Sequence, residues 1–126
     1  MLITASAITF AALTGIVIIF QGCLAAGVPW GKASMGGKFP GKYPPKMRLV
    51  AVANMFILGF FAAIVLSEDD ILFPGLKAVS GIVIWIIVVF FIVATILNTI
   101  TPSRIERIWA PVALLQLITS LIVALD

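Results

Sequence analysis

The chain alternates long uncharged, apolar segments with short charged ones. Four stretches without a charged residue contain 31, 19, 26 and 18 residues and cover positions 1–31, 49–67, 78–103 and 108–125. A helix needs about 20 mainly apolar residues to cross a bilayer, and lipid cannot satisfy a backbone that is not helical. The pattern predicts an all-α membrane protein, an antiparallel bundle of four transmembrane helices forming one domain over residues 1–126. Predicted spans one to four cover about residues 3–28, 49–67, 78–100 and 106–125.

The composition excludes a soluble domain and most catalytic chemistry. Hydrophobic residues make up 63% of the chain, against 8 Lys plus Arg and 5 Asp plus Glu. There is no His and a single Cys, Cys23. A His-based or multi-Cys metal site, a Ser-His or Cys-His nucleophile pair and an intrachain disulfide are therefore impossible. We expect no cofactor, no bound metal and no enzymatic activity.

Basic residues are concentrated in two of the three connections. Connection one, Gly31 to Arg48, contains Lys32, Lys38, Lys42, Lys46 and Arg48, and connection three, between spans three and four, contains Arg104 and Arg107. Connection two contains a single basic residue, Lys77. By the positive-inside rule, this bias of seven to one predicts that connections one and three are cytoplasmic and both termini outside. The net charge of +3 then indicates contact with anionic lipid headgroups and not with nucleic acid.

Connection one combines glycines with lysines, which is typical of an anion cradle. A P-loop is excluded because Lys38 is followed by Phe39 and not by Ser or Thr. The favoured interpretation is a basic loop that sets the orientation and touches anionic headgroups.

Two further patterns concern the ends of the spans. Ser103 and Glu106 have the spacing of a capping box, which predicts the start of span four. Trp30 and Trp109 fall near the cytoplasmic ends of spans one and four, where aromatic belts lie.

Span one carries small residues four positions apart, at Ala7, Ala11 and Gly15, and the stripe resumes at Gly22 and Ala26. This spacing allows another helix to approach closely, so spans one and two are expected to form the packing centre. Span three is mostly Ile, Val and Phe, which favours a face turned to lipid.

Each span contains one side-chain amide. At 1.5 Å per residue, Gln21, Asn54, Asn98 and Gln116 lie about 12, 9, 6 and 10 Å from the cytoplasmic ends of their spans. One interpretation is separate hydrogen bonds between helices. The other is a polar vestibule open to the cytoplasm. The candidate ligand-binding residues are therefore Gln21, Asn54, Asn98 and Gln116, with Lys38, Arg104 and Arg107 at the border.

Several short motifs together resemble a known family. They are Gly27-Val28-Pro29-Trp30-Gly31, Gly36-Gly37, Pro45 with Arg48, and Ser103 through Glu106-Arg107 to Trp109 with Pro111-Val112. The pattern resembles a widespread family of small bacterial four-span membrane proteins. Its members often have an acidic residue soon after Pro-Trp-Gly, where this chain has Lys32. The resemblance implies a four-helix inner-membrane protein and carries no activity with it.

Three functions are compatible with these observations. The first is a bundle that binds or transports a small polar-headed or lipid-like ligand from the cytoplasmic side. The alternative is an accessory or assembly subunit of a larger membrane complex, and a homo-oligomer is compatible with either function. A lipid-modifying enzyme has the least support, because neither a nucleophile-base pair nor a metal cluster is visible in the sequence.

Overall fold

The computed structural model describes residues 2–33, 37–39, 41–68 and 77–125, and within them it contains four α-helices and no strand. The helices are α1 (Leu2–Ala26), α2 (Pro45–Glu68), α3 (Lys77–Ile100) and α4 (Trp109–Ala124), with short 3-10 turns at Gly31–Ala33 and Glu106–Ile108. With their flanking turns, all four are long and apolar enough to cross a membrane. The predicted all-α four-helix bundle is confirmed, and its length and composition are those of an integral membrane protein.

The helices form a closed ring in chain order. Helix α1 packs on α2 and α4, and α3 packs on the same two helices. Three phenylalanines from α1, α2 and α3 meet edge to face in the centre: the Phe91 ring lies 5.4 Å from that of Phe10 and 6.3 Å from that of Phe61. Apolar side chains therefore fill the middle of the bundle.

The small-residue stripe of α1 makes a close approach at Gly22 and not at Gly15. Ala7 is fully buried, but the space beside Gly15 is open, and the close approach is at Gly22, where a Cβ would meet the Met55 Cε at 3.3 Å. The expectation that α3 turns to lipid holds for only part of its circumference. Ile84, Ile87, Val88 and Phe91 are buried, while Ile82, Trp85, Ile86 and Val89 are exposed.

Helix α1 ends in a Schellman motif around Gly27, whose φ of 95° suits glycine. The Val28 N–H donates to the Cys23 carbonyl at 2.9 Å, and the Gly27 N–H to the Leu24 carbonyl at 3.2 Å. The Arg48 guanidinium covers this end so closely that a Cβ on Gly27 would lie 3.0 Å from its Nη2. A cation is favourable there because a helix C-terminus carries partial negative charge.

A second arginine closes the end of α3. Arg107 Nε and Nη2 both donate to the Thr101 carbonyl, at 3.2 and 3.0 Å. The Thr101 hydroxyl donates to the Glu106 carboxylate, and the Glu106 N–H donates to Ser103 Oγ at 3.4 Å, as the capping box predicts. The predicted span four begins here as a 3-10 turn, and α4 follows from Trp109.

Candidate ligand-binding site

Connection one is folded against the ends of α1 and α2. Its Ala33 and Tyr43 are buried in a cluster with Phe20, Leu24 and Ala51. The Gly31 N–H donates to the Gly41 carbonyl at 2.9 Å, which joins the two ends of the connection. Connection one is therefore part of the packed structure at this end of the bundle.

Trp109 holds connection one against the helices. Its ring lies 4.7 Å from the Phe20 ring, and its Nε1 donates to the Ala33 carbonyl at 3.0 Å. The sequence suggested a membrane-interface role for both Trp30 and Trp109. Trp30 is 53% exposed, whereas Trp109 is half-buried in these contacts.

A groove of about 670 Å³ opens on this side of the bundle, between α1, connection one and the start of α4. None of the lining residues that the structure describes carries a charge, hydroxyl, amide or thiol, and among them only the two tryptophans contribute polar side-chain atoms. The lining consists of Ile16, Ile19, Phe20, Pro29, Trp30, Ala33, Gly41, Ile105, Ile108 and Trp109. Such a surface suits an apolar molecule or an acyl chain.

Two basic residues are next in sequence to residues that line this groove. Lys42 follows the lining residue Gly41, and Arg104 precedes the lining residue Ile105. Both side chains are exposed, as is Lys38. Arg107 also neighbours the groove, but two of its nitrogens donate to Thr101. Two exposed cations, Lys42 and Arg104, are therefore one residue away in sequence from the groove lining.

The four amides lie on the faces of their helices that point into the bundle. Gln116 is buried, and its Nε2 donates to Thr14 Oγ1 at 3.0 Å, so α4 and α1 share a hydrogen bond. Gln21 follows Thr14 by seven residues, which is almost two helical turns, and so lies on the same face of α1. Gln21 is partly buried.

The other two amides follow the same geometry. Asn54 lies between the buried Ala51 and Leu58, at the spacing of one face of α2. Asn98 lies seven residues after the buried Phe91, and its Nδ2 donates to the carbonyl of Ala94 in its own helix at 2.7 Å. None of the four amides lines the groove.

The predicted common depth of the amides is wrong for Gln116. Gln116 reaches Thr14, which is seven residues, or about 10 Å, from Gln21 along α1. The predicted depth of Gln116 is counted from Trp109, on the assumption that α4 begins at the membrane surface. Trp109 instead packs on Phe20 inside α1, so the start of α4 is already deep in the bundle. Ligand binding by the seven candidate residues stays a prediction.

Sequence reasoning missed the groove because apolar residues in a membrane span carry no distinguishing signal. Ile16 and Ile19 have the same character as any lipid-facing residue. The available signal was indirect: Trp30 and Trp109 share one end of the chain's fold with most of its basic residues.

Comparisons with protein families, curated proteins and solved structures found no match. The resemblance to the four-span family therefore stays an expectation. Among the described residues, no three His, Cys, Asp or Glu side chains form a group suited to a metal ion.

Proposed function

We propose that this protein binds or transports a small polar-headed or lipid-like ligand at the end of the bundle formed by connections one and three. The groove carries this proposal. Its volume of about 670 Å³ lies within the range of about 300 to 1,000 Å³ that ligand pockets span. Its lining is apolar, and cations adjoin one end, which matches a molecule with an apolar body and a polar or anionic head.

The chemistry of the lining supports binding over turnover. A reaction needs a nucleophile, an acid or base, or a metal near the substrate, and the lining residues that the structure describes are aliphatic and aromatic, with glycine and proline. The side of the groove along α1 is open, since Ile16 and Ile19 are 53% and 69% exposed. A ligand can therefore enter sideways from the membrane.

The orientation belongs to the same proposal. The seven-to-one excess of basic residues supports a cytoplasmic position for connections one and three, in a bacterial inner membrane, with both termini outside. The groove then opens toward the cytoplasmic leaflet.

Tryptophan fluorescence tests the proposed site, because Trp30 and Trp109 line the groove and Trp85 does not. In a Trp85→Phe background, we expect a fatty acid brominated on its chain to quench the fluorescence saturably. The double substitution Ile16→Phe and Ile108→Phe narrows the groove and should weaken the apparent affinity at least about fivefold, roughly 1 kcal/mol. The readout is a quenching titration in unbrominated detergent.

The matched control is Ile82→Phe with Ile86→Phe on the exposed face of α3, which should leave the titration unchanged. Quenching that rises linearly with the concentration of the brominated compound and is unchanged by the groove substitutions would contradict the proposal. If mild extraction then yields the chain in a fixed ratio with other subunits, the accessory-subunit function replaces it.

A further inference from the structure

We infer that the ligand is an anionic phospholipid of the adjacent leaflet, with one acyl chain in the groove and its phosphate at Arg104 and Lys42. This inference rests on the proposed function, since it names the ligand class of the same groove. It adds a choice of headgroup and a source for the ligand, namely the bilayer itself.

The dimensions of the groove fit one leaflet. Its lining extends along the chain from Ile16 in α1 to Pro29 just beyond the end of that helix. At 1.5 Å per residue this is about 20 Å, which matches the roughly 20 to 22 Å of half a bilayer including its headgroup region. A phospholipid of the surrounding leaflet, headgroup included, is therefore about as long as the groove.

The open side of the groove favours a membrane lipid over a water-soluble ligand. Ile16 and Ile19 on α1 and Ile105 and Ile108 before α4 are each at least half exposed, with values from 50% to 69%. In a bilayer, these residues face acyl chains. A phospholipid can move into the groove from the side and keep its headgroup at the interface.

The charge at the interfacial end selects the headgroup. Arg104 and Lys42 are each the immediate neighbour of a lining residue, about 3.8 Å away between Cα atoms. Glu106 is two residues from Arg104, and its carboxylate accepts a hydrogen bond from Thr101. Two exposed cations favour a lipid with net negative charge, and a guanidinium matches the geometry of a phosphate.

The test compares brominated phosphatidylglycerol with brominated phosphatidylcholine in mixed micelles, using the Trp85→Phe protein. We expect phosphatidylglycerol to reach half-maximal quenching at a lower mole fraction, by about fivefold or more. The pair Arg104→Gln and Lys42→Gln should remove this preference while the quenching by phosphatidylcholine stays the same. The control is Lys46→Gln, an exposed lysine in the first turn of α2 that does not adjoin a lining residue, and it should keep the preference.

Each other outcome is decisive. Equal, saturable quenching by the two lipids overturns the headgroup choice and leaves the proposed function standing. Quenching that saturates for neither lipid and is unchanged by Ile16→Phe with Ile108→Phe overturns both the headgroup choice and the proposed function. If Lys46→Gln loses the preference equally, the selectivity comes from overall charge. If a brominated fatty acid reaches half-maximal quenching at the same mole fraction as phosphatidylglycerol, the site accepts any anion. Either result overturns the inference.

Discussion

Gly31 in connection one is tightly enclosed by backbone atoms. A Cβ at this position would overlap the Phe39 carbonyl oxygen and lie 2.7 Å from that of Gly41. These are backbone atoms, which cannot turn aside as a side chain does. By contrast, nothing lies within 4 Å of a Cβ built on Gly59 in the middle of α2. The wall of the groove therefore depends on one glycine that the sequence does not distinguish from the nine others.

Replacing Gly31 by Ala should consequently destabilise the protein by about 1 to 3 kcal/mol, the usual cost of overpacking. Gly59→Ala is the matched control, and it should be neutral or stabilising by up to about 1 kcal/mol, because alanine favours a helix. Thermal unfolding in detergent measures both. Equal shifts of the midpoint for the two variants would mean that connection one is not packed as described.

The two helical hairpins are closed by the same kind of contact. In the first, Arg48 at the start of α2 covers the end of α1 and donates to the Tyr43 carbonyl at 3.1 Å. In the second, Arg107 before α4 donates to the Thr101 carbonyl, directly after the end of α3. Both cations stand where carbonyls at a helix C-terminus concentrate negative charge. Two of the seven basic residues assigned to orientation thus also fasten the helix ends.

Arg107→Met and Arg48→Met should each lower stability by about 1 to 2 kcal/mol, since each removes charged hydrogen bonds and a favourable helix-end charge. Lys46→Met is the control. It removes a basic residue of the same connection, but Lys46 is exposed, and we expect a change within about 0.5 kcal/mol. Chemical or thermal denaturation in detergent gives the values. A loss of stability in Lys46→Met as large as in the arginine variants would attribute the effect to net charge.

The positions of the spans were predictable, while their relative depth was not. Uncharged length alone located the helices, and the Ser103 and Glu106 spacing marked the turn that precedes α4. The depth of α4 depends on Trp109 packing against Phe20, a contact between residues 89 positions apart. Periodicity along one helix carries no information about such a contact, so the predicted depth of Gln116 was in error.

At the scale of the whole molecule, the candidate site was predicted in part. Placing the amides on inward faces followed correctly from the lack of hydrogen-bond partners in lipid, and the Gln116 contact with Thr14 is one of the bonds between helices that were considered. The groove could not be predicted, because Ile105 and Ile108 become a binding surface only when connection one and α1 lie beside them. The predicted border cations Lys38, Arg104 and Arg107 were assigned to the amide vestibule and not to this groove.

The arrangement of the helices gives the molecule two distinct ends. Connections one and three lie at the end that carries the groove, together with seven of the eight basic residues. The start of α1 and the end of α4 lie at the opposite end. The orientation of the whole bundle therefore decides which leaflet the groove meets, and a single cysteine at each end can report it.

We expect one fixed orientation, with the groove end in the cytoplasm. The native Cys23 is first replaced by Ala, and cysteine is introduced at Pro44 in connection one or at Leu125 after α4; both positions are exposed and uncharged, so the charge bias is kept. Ala33 is unsuitable because it is only 5% exposed and would resist a reagent in either orientation. In intact cells an impermeant maleimide should label Leu125→Cys and spare Pro44→Cys, and after permeabilisation it should label both, since the seven-to-one bias holds the basic connections inside.

Labelling of Pro44→Cys alone in intact cells would invert the topology and move the groove to the outer leaflet. Equal labelling of both would mean that the chain inserts in two orientations, as in an antiparallel dimer, and that the groove serves both leaflets.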